Sequence, residues 1–163
     1  MSKIAILPFD AADRDAVARL VVAIQRAEFG VPITYEQQPD LQDPIAFFCR
    51  DGGGFWTAKT DAGDVVGTIG LTVFAPGQGA LRKMFVRADY RGRAYGVAQA
   101  LLDTLMSHAR AANLANVWLG TAEFFKAAHR FYAKNDFEEL DEKQLPSGFP
   151  RMKPDTRFFG IEL

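Results

Sequence analysis

The sequence holds a single cysteine, Cys49, so the chain can form no internal disulfide. That pattern predicts the reducing cytoplasm as its setting. No apolar run approaches the ~18 residues a membrane-spanning helix needs, so the reading is of a chain without a membrane partner. The opening segment, MSKIAILPFD, has one lysine, a short apolar run and no small-residue cleavage site, and it reads as no secretory signal. Neither charge sign dominates: Lys+Arg is 19 and Asp+Glu is 20, a net charge of −1. This balance argues against nucleic acid as a partner. Internal repeats, linkers and low-complexity tracts are missing too. What is there is ordinary globular composition, 48% hydrophobic and 24% charged over 163 residues. One domain spanning 1–163 is the expectation, large enough to bury about 68–70% of its unfolded surface without disulfides or metal.

Periodicity places the elements. KIAIL (3–7) reads as a strand that Pro8 ends. Asp10 is a helix N-cap, with Phe9 packing back on the first turn. Val17, Leu20, Val21 and Ile24 predict a helix near 11–28. Residues 33–48 hold Pro39 and Pro44, which limit any helix there to short pieces, and Thr34 with Gln37 resembles a capping box. FWTAKT (55–60) and VVGTIGLTVF (65–74) form a hairpin, and ALRKMFV (80–86) adds a third antiparallel strand after a turn at 76–79. Val97, Leu101, Leu105 and Ala109 mark a helix from Arg91 to the C-cap Asn113. NVWLG (116–120) is a buried strand, Thr121 caps a helix over 122–134, and FEEL (137–140) and TRFFGIEL (156–163) are strands around a proline-rich loop. The strand–helix–strand unit at 80–120 makes its two strands parallel, which gives an α/β class.

The informative segment runs from Arg82 to Gly96. Arg82, Lys83, Arg87, Arg91 and Arg93 stand there against one acid, Asp89. The charge lies where a strand hands over to a helix that opens Arg91-Gly92-Arg93-Ala94-Tyr95-Gly96. Small residues and free N–H groups at a helix start form an anion site, and arginines add charge-assisted bonds. A plain turn beside a solvated basic face is the other reading of the same residues. The pattern is neither a Walker A loop nor a dinucleotide fingerprint.

These residues resemble the GCN5-related N-acetyltransferase (GNAT) superfamily, whose signature is Arg/Gln-x-x-Gly-x-Gly/Ala after a strand ending in an apolar triplet. Here the triplet is Met84-Phe85-Val86 and the signature is Arg91 to Gly96. A second block, Ala128-His129-Arg130-Phe131-Tyr132-Ala133-Lys134-Asn135-Asp136-Phe137, resembles the superfamily's Ala-x-x-Phe-Tyr-x-x-x-x-Phe helix. Ala94 replaces the usual glycine, Asp136 replaces another in a turn that tolerates a left-handed Asp, and Phe125 stands where an asparagine is frequent.

The resemblance implies a mixed, mostly antiparallel sheet of about six to seven strands flanked by helices, with a splayed parallel pair at the cofactor site. It implies acetyl-CoA as cofactor. Backbone groups of Met84, Phe85 and Val86 would pair with the pantetheine. The N–H groups of Gly92, Arg93, Ala94, Tyr95, Gly96 and Val97 would hold the pyrophosphate, with Arg91 and Arg93 reaching its oxygens. Tyr132 is the expected catalytic acid: a phenol of pKa about 10 can protonate a thiolate whose thiol has a pKa of about 8.5. The reaction implied is attack by a primary amine of a small-molecule or amino-acid-like acceptor on the thioester. The alternatives are a non-catalytic acyl-CoA-binding domain, and a protein or peptide N-acetyltransferase.

The residues leave the acceptor side open. Phe29 and Tyr35 are candidate contacts for an apolar or aromatic acceptor; Trp56 and Trp118 lie in strands and read as core residues, with a place at the border of the acceptor pocket as the other reading of Trp56. Arg82, pointing into the cleft, would favour a carboxylate on the acceptor. Glu28, Glu36 and Glu123 are candidate sources of a base. His108 and His129 read as satisfied surface or interface histidines, and Cys49 as a small buried hydrophobe. No metal site is expected. A homodimer formed through an edge strand near 156–163 is open.

Overall fold

The computed structural model describes residues 3–163. Seven strands form one sheet in the order β1-β2-β3-β4-β5-β7-β6. They are β1 (Ile4–Pro8), β2 (Gly54–Thr60), β3 (Val65–Ala75), β4 (Gln78–Val86), β5 (Asn116–Thr121), β6 (Glu138–Leu140) and β7 (Arg157–Glu162). Only β4 and β5 are parallel; every other neighbouring pair is antiparallel. The helices are α1 (Arg14–Ala23), α2 (Pro39–Gln42), α3 (Pro44–Phe48), α4 (Val97–Ala111) and α5 (Lys126–Lys134). A π turn at Ile24–Glu28 continues α1.

Two apolar clusters hold the sheet between helices. One lies under α4, whose Leu101, Leu102, Leu105 and Ala109 are buried against Ile69, Leu71 and Val117. The other lies under α1, where Val17, Val21 and Ile24 meet Leu41, Phe48 and Phe55. Burying a side chain of this size stabilises by about 1.5–3 kcal/mol. Asn113 and Asp136 both adopt positive φ, 60° and 71°, as expected for a helix C-terminus and for the turn after α5.

Several expectations need correction. The helix after the basic segment begins at Val97 and not at Arg91, because Gly92 (φ 101°) and Gly96 (φ 62°) hold residues 91–96 in a loop. The next helix begins at Lys126; Thr121 does not cap it, since it is the last residue of β5, paired with Arg157. Pro8 stays within edge strand β1, opposite Trp56. Phe9 packs edge-on to Phe55 at 5.5 Å. Trp56 is a core residue beside His108. Cys49 is exposed, at the end of the short α3. His129 is buried: its Nε2 donates to the Ala122 carbonyl (2.9 Å) and its Nδ1 accepts from Arg157 (2.9 Å). The strand at 157–162 is interior, flanked by β5 and β6, so the open edges are β1 and β6.

Candidate active site

The site begins where β4 and β5 stop pairing. Their parallel ladder covers Gln78–Asn116, Gly79–Val117 and Ala80–Trp118 and ends there. A bulge in β4 follows. Gly70 pairs with Arg82 but Thr68 pairs with Phe85, so β4 carries an extra residue, and Lys83 takes φ 53°. The Thr68 hydroxyl holds the bulge by donating to the Lys83 carbonyl at 2.7 Å. Met84, Phe85 and Val86 therefore bend away from β5, with backbone groups on that side unclaimed by the ladder. Ligands in open α/β sheets bind in such a gap, beyond the strand carboxyl ends.

Two neighbouring cavities that share part of their lining occupy the gap. The outer groove, about 380 Å³, is lined by Met84, Phe85, Val86, Phe131 and Tyr132. At its rim Phe29 packs on Phe125 (4.5 Å) and Phe124 (6.0 Å). The inner cavity, about 180 Å³, shares Met84, Phe85 and Tyr132 and adds Arg82, Lys83 and Asp155. Its walls are otherwise largely apolar, with Val31, Ile33 and Phe149 among them.

Tyr132 is buried between Phe137 and Phe159. Burial pushes its phenol pKa well up, so the hydroxyl keeps its proton and is a weaker acid than the free phenol expected from the sequence. Among the described residues its one side-chain hydrogen bond is to the Met84 Sδ, at 3.6 Å. Sulfur is a weak acceptor, which leaves the O–H free to turn to a better one.

Charge is concentrated in the inner cavity. Arg82 and Lys83 both contact Asp40 Oδ2 at 3.3 Å, and the Asp40 and Lys83 side chains are almost fully buried. Lys83 Nζ also donates to Gln38 Oε1 at 2.6 Å. Desolvation lowers both the Arg82 and the Lys83 pKa, and Asp40 opposes it. Asp155 is 7% exposed. Its Oδ2 accepts from the Met152 N–H at 2.9 Å. Burial raises its pKa above the ordinary value, against the pull of Arg151, Arg82 and Lys83.

The sequence candidates divide. Met84, Phe85, Val86, Tyr132, Phe29 and Arg82 line the two cavities. Tyr35 lies instead against the cluster under α1. Arg91 also borders the outer groove, but its nitrogens are already engaged: Nε donates to the Val86 carbonyl at 2.7 Å and the others pair with Glu28. Arg93 and Ala94 are exposed on the loop, and Gly92 and Gly96 have open space where a Cβ would stand. Glu28 is committed to Arg91, and Glu123 to Lys126 on the surface. Glu36 is exposed. The carboxylate that does face the inner cavity, Asp155, was missed, as were Lys83 as a cavity residue and its partner Asp40. Asp155 sits in the proline-rich loop before β7, where no periodicity assigns a direction.

A family model described as the acetyltransferase (GNAT) family matches residues 19–137. The chain belongs to that family. Its fold is that of a GNAT acetyltransferase from Staphylococcus aureus, at TM-score 0.93 and 33% identity over 98% of both chains. It is also similar to N-acetyltransferase 8 of Rattus norvegicus (32% identity, 63% of this chain and 48% of that protein). N-acetylaspartate synthetase of Danio rerio is 32% identical over 75% of this chain and 44% of that protein. The chain thus spans about half the length of these two relatives.

Acetyl-CoA is the acetyl donor in this family, and the residues present fit it. The outer groove has on one wall a segment of β4 that pairs with β3 but not with β5, and Tyr132 on the other. Gly92 and Gly96 leave room for close approach to the backbone, and no side chain caps the first N–H groups of α4. Among the described residues no helix is long and apolar enough to cross a membrane.

Proposed function

We propose that this chain transfers an acetyl group from acetyl-CoA to the primary amine of a small acceptor that also bears a carboxylate, an amino-acid-like molecule. The observation that carries the reading is the pair of buried cations, Arg82 and Lys83, in the inner cavity: both lean on the single carboxylate of Asp40, while the cavity's second carboxylate, Asp155, forms no ion pair with either. Buried charge without full compensation is costly. A cavity that retains it is suited to an anion, and the Arg82 guanidinium keeps donors beyond those used on Asp40 and Met152. The relative named N-acetylaspartate synthetase carries an amino-acid product in its name, which supports the same class.

Met84, Phe85 and Val86 would hold the pantetheine arm, and the loop from Gly92 to Val97 with Arg93 the pyrophosphate. Arg91 would brace that loop through Glu28. When bound, acetyl-CoA supplies its acyl group as a thioester. A backbone N–H near Phe85 would be the donor for the carbonyl oxygen. Tyr132 Oη holds the proton that the leaving sulfur requires, and such acid help is worth roughly 10²–10⁴-fold. The single cysteine suits a reducing, cytoplasmic setting.

The test is thiol release from acetyl-CoA across matched acceptors: amino acids beside the same amines with the carboxylate removed or amidated. The expected result is turnover with the carboxylate-bearing members and a loss of at least tenfold in kcat/KM for their partners. Equal rates for both sets would overturn the acceptor class, and binding of acetyl-CoA without turnover of any amine would overturn the activity.

A further inference from the structure

We infer that Asp155 is the group that takes the proton from the acceptor amine, through the oxygen it leaves unbonded in the inner cavity. The inference rests on the acceptor reading above and adds the residue that makes the amine a nucleophile.

Three observations converge. First, the position: Asp155 lines the cavity that Tyr132, Met84 and Phe85 also line, so base and acid face one space. Second, the bonding: Asp155 Oδ2 accepts from the Met152 N–H, while Oδ1 accepts no hydrogen bond from the described residues. Nor does any cation among them lie within ion-pair distance of this carboxylate, although Arg82, Lys83 and Arg151 are near enough to act through space. A buried carboxylate is normally neutralised by a partner or fully hydrogen-bonded. This one is 7% exposed: Oδ2 closes the turn back to Met152, and Oδ1, still open to solvent from the cavity, keeps its acceptor capacity free. Third, the fit: the carboxylate rests against β5 at Gly120, where a Cβ would come within 2.4 Å of Oδ2.

The charges form a pattern. Arg82 and Lys83 on β4 lie on one side with Asp40 behind them, and Asp155 approaches from the loop before β7. An amino acid has the complementary charges, with its carboxylate for the cations and its ammonium for Asp155. The ammonium N–H breaks and an O–H forms on Asp155, leaving the electron pair on nitrogen. As the C–N bond forms and the C–S bond breaks, the sulfur takes the Tyr132 hydroxyl proton. The second nitrogen proton returns to the Tyr132 oxygen through water, and Asp155 releases its proton to solvent. One proton leaves per amide formed, as the overall reaction requires. Burial that raises the carboxyl pKa brings it closer to that of the amine, which eases the transfer.

The experiment compares Asp155→Asn and Asp155→Glu with wild type, using alanine, glutamate and phenylalanine as acceptors. For Asp155→Asn, kcat should fall about 10²–10⁴-fold at neutral pH. Acetyl-CoA affinity by calorimetry should stay within about twofold and the melting temperature should not drop. The wild-type rate should rise through a pKa above about 3.9, the usual Asp value, and that limb should vanish in Asp155→Asn. Asp155→Glu should recover part of the rate together with the limb. An Asp155→Asn protein with wild-type kcat and the same pH limb would overturn the inference and leave the acceptor class standing. Parallel losses of cofactor affinity, melting temperature and rate would also overturn it, by making Asp155 a structural residue. A wild-type protein inactive on every carboxylate-bearing amine would remove the acceptor reading and this inference together.

Discussion

Gly120 and Asp155 meet so closely that the strand residue must be glycine for the loop carboxylate to sit where it does. A Cβ on residue 120 would lie 2.4 Å from Asp155 Oδ2 and 2.7 Å from its Cγ. Gly120→Ala therefore moves the carboxylate without altering its chemistry. A misplacement of about 1 Å can cost on the order of 10²-fold in rate. We expect a kcat loss of that order in Gly120→Ala with acetyl-CoA affinity retained. In an Asp155→Ala background the same change should cost little more, because only Cβ remains to be met, at 3.1 Å. Full additivity in this double-mutant cycle would mean that Gly120 acts by another route.

Asp155 should also cost the fold stability at neutral pH. Its folded pKa is raised by burial. A carboxyl with a raised folded pKa binds its proton more tightly in the native state, so its contribution is most favourable below the unfolded pKa of about 3.9. That contribution is lost as pH rises through the folded value. Asp155→Asn should thus melt higher than wild type at pH 7, and the gap should close as pH falls toward about 4. A variant that melts lower at pH 7 would show the charge to be well compensated.

Much of this molecule was legible in its sequence, for identifiable reasons. The β2–β3 hairpin and the parallel pair follow from short apolar runs bounded by turn residues, and α4 from apolar residues at every fourth position on one helix face. The Arg91–Gly96 loop was legible as chemistry but not as shape. Its residues are compatible with a helix start, and only the positive φ of Gly92 and Gly96 delays α4 to Val97. Arg91 was legible as a cation, but its direction depends on Glu28, 63 residues away. The Asp40–Lys83 pair joins a two-proline segment to a bulge. Strand alternation predicts no inward lysine beside an inward arginine; the extra residue at the bulge is what turns both to one cavity.

That pair has a measurable weight. The Asp40 side chain is 3% exposed and is the carboxylate in contact with both Arg82 and Lys83. Removing one partner of a buried pair strands the other, at a cost of about 3–5 kcal/mol. Asp40→Asn keeps the shape and deletes the charge. It should lower the melting temperature by roughly 10 °C, taking 2–4 °C per kcal/mol for a chain of this size. A change under about 2 °C in differential scanning calorimetry would mean that Asp155 or solvent already balances the two cations.

Tyr132 separates chemistry from packing. The ring is wedged against Phe131, Phe137 and Phe159, while among the described residues its hydroxyl has only the Met84 sulfur as partner. Tyr132→Phe retains the ring contacts and removes the proton donor. We expect turnover to fall about 10²–10⁴-fold, with acetyl-CoA affinity and melting temperature close to wild type. Wild-type turnover in Tyr132→Phe would exclude the hydroxyl from the reaction.

The two signature arginines should behave differently, although the motif treats them alike. Arg91 is spent on Glu28 and the Val86 carbonyl, and it ties the end of the π turn to the base of the loop. Arg93 is exposed, with no ion pair to any described residue, beside glycines that leave the backbone open. A charge-assisted bond to phosphate is worth about 1.5–3 kcal/mol. Arg93→Ala should therefore weaken acetyl-CoA binding about 10- to 100-fold, and the deficit should shrink as salt screens the exposed contact. Arg91→Ala should change affinity less than Arg93→Ala and should loosen the loop instead, seen as faster amide exchange at residues 91–96. Calorimetric titration of both variants at two salt concentrations decides the matter. A larger affinity loss in Arg91→Ala would mean that the cofactor draws Arg91 away from Glu28, and the pyrophosphate would then sit nearer the end of β4.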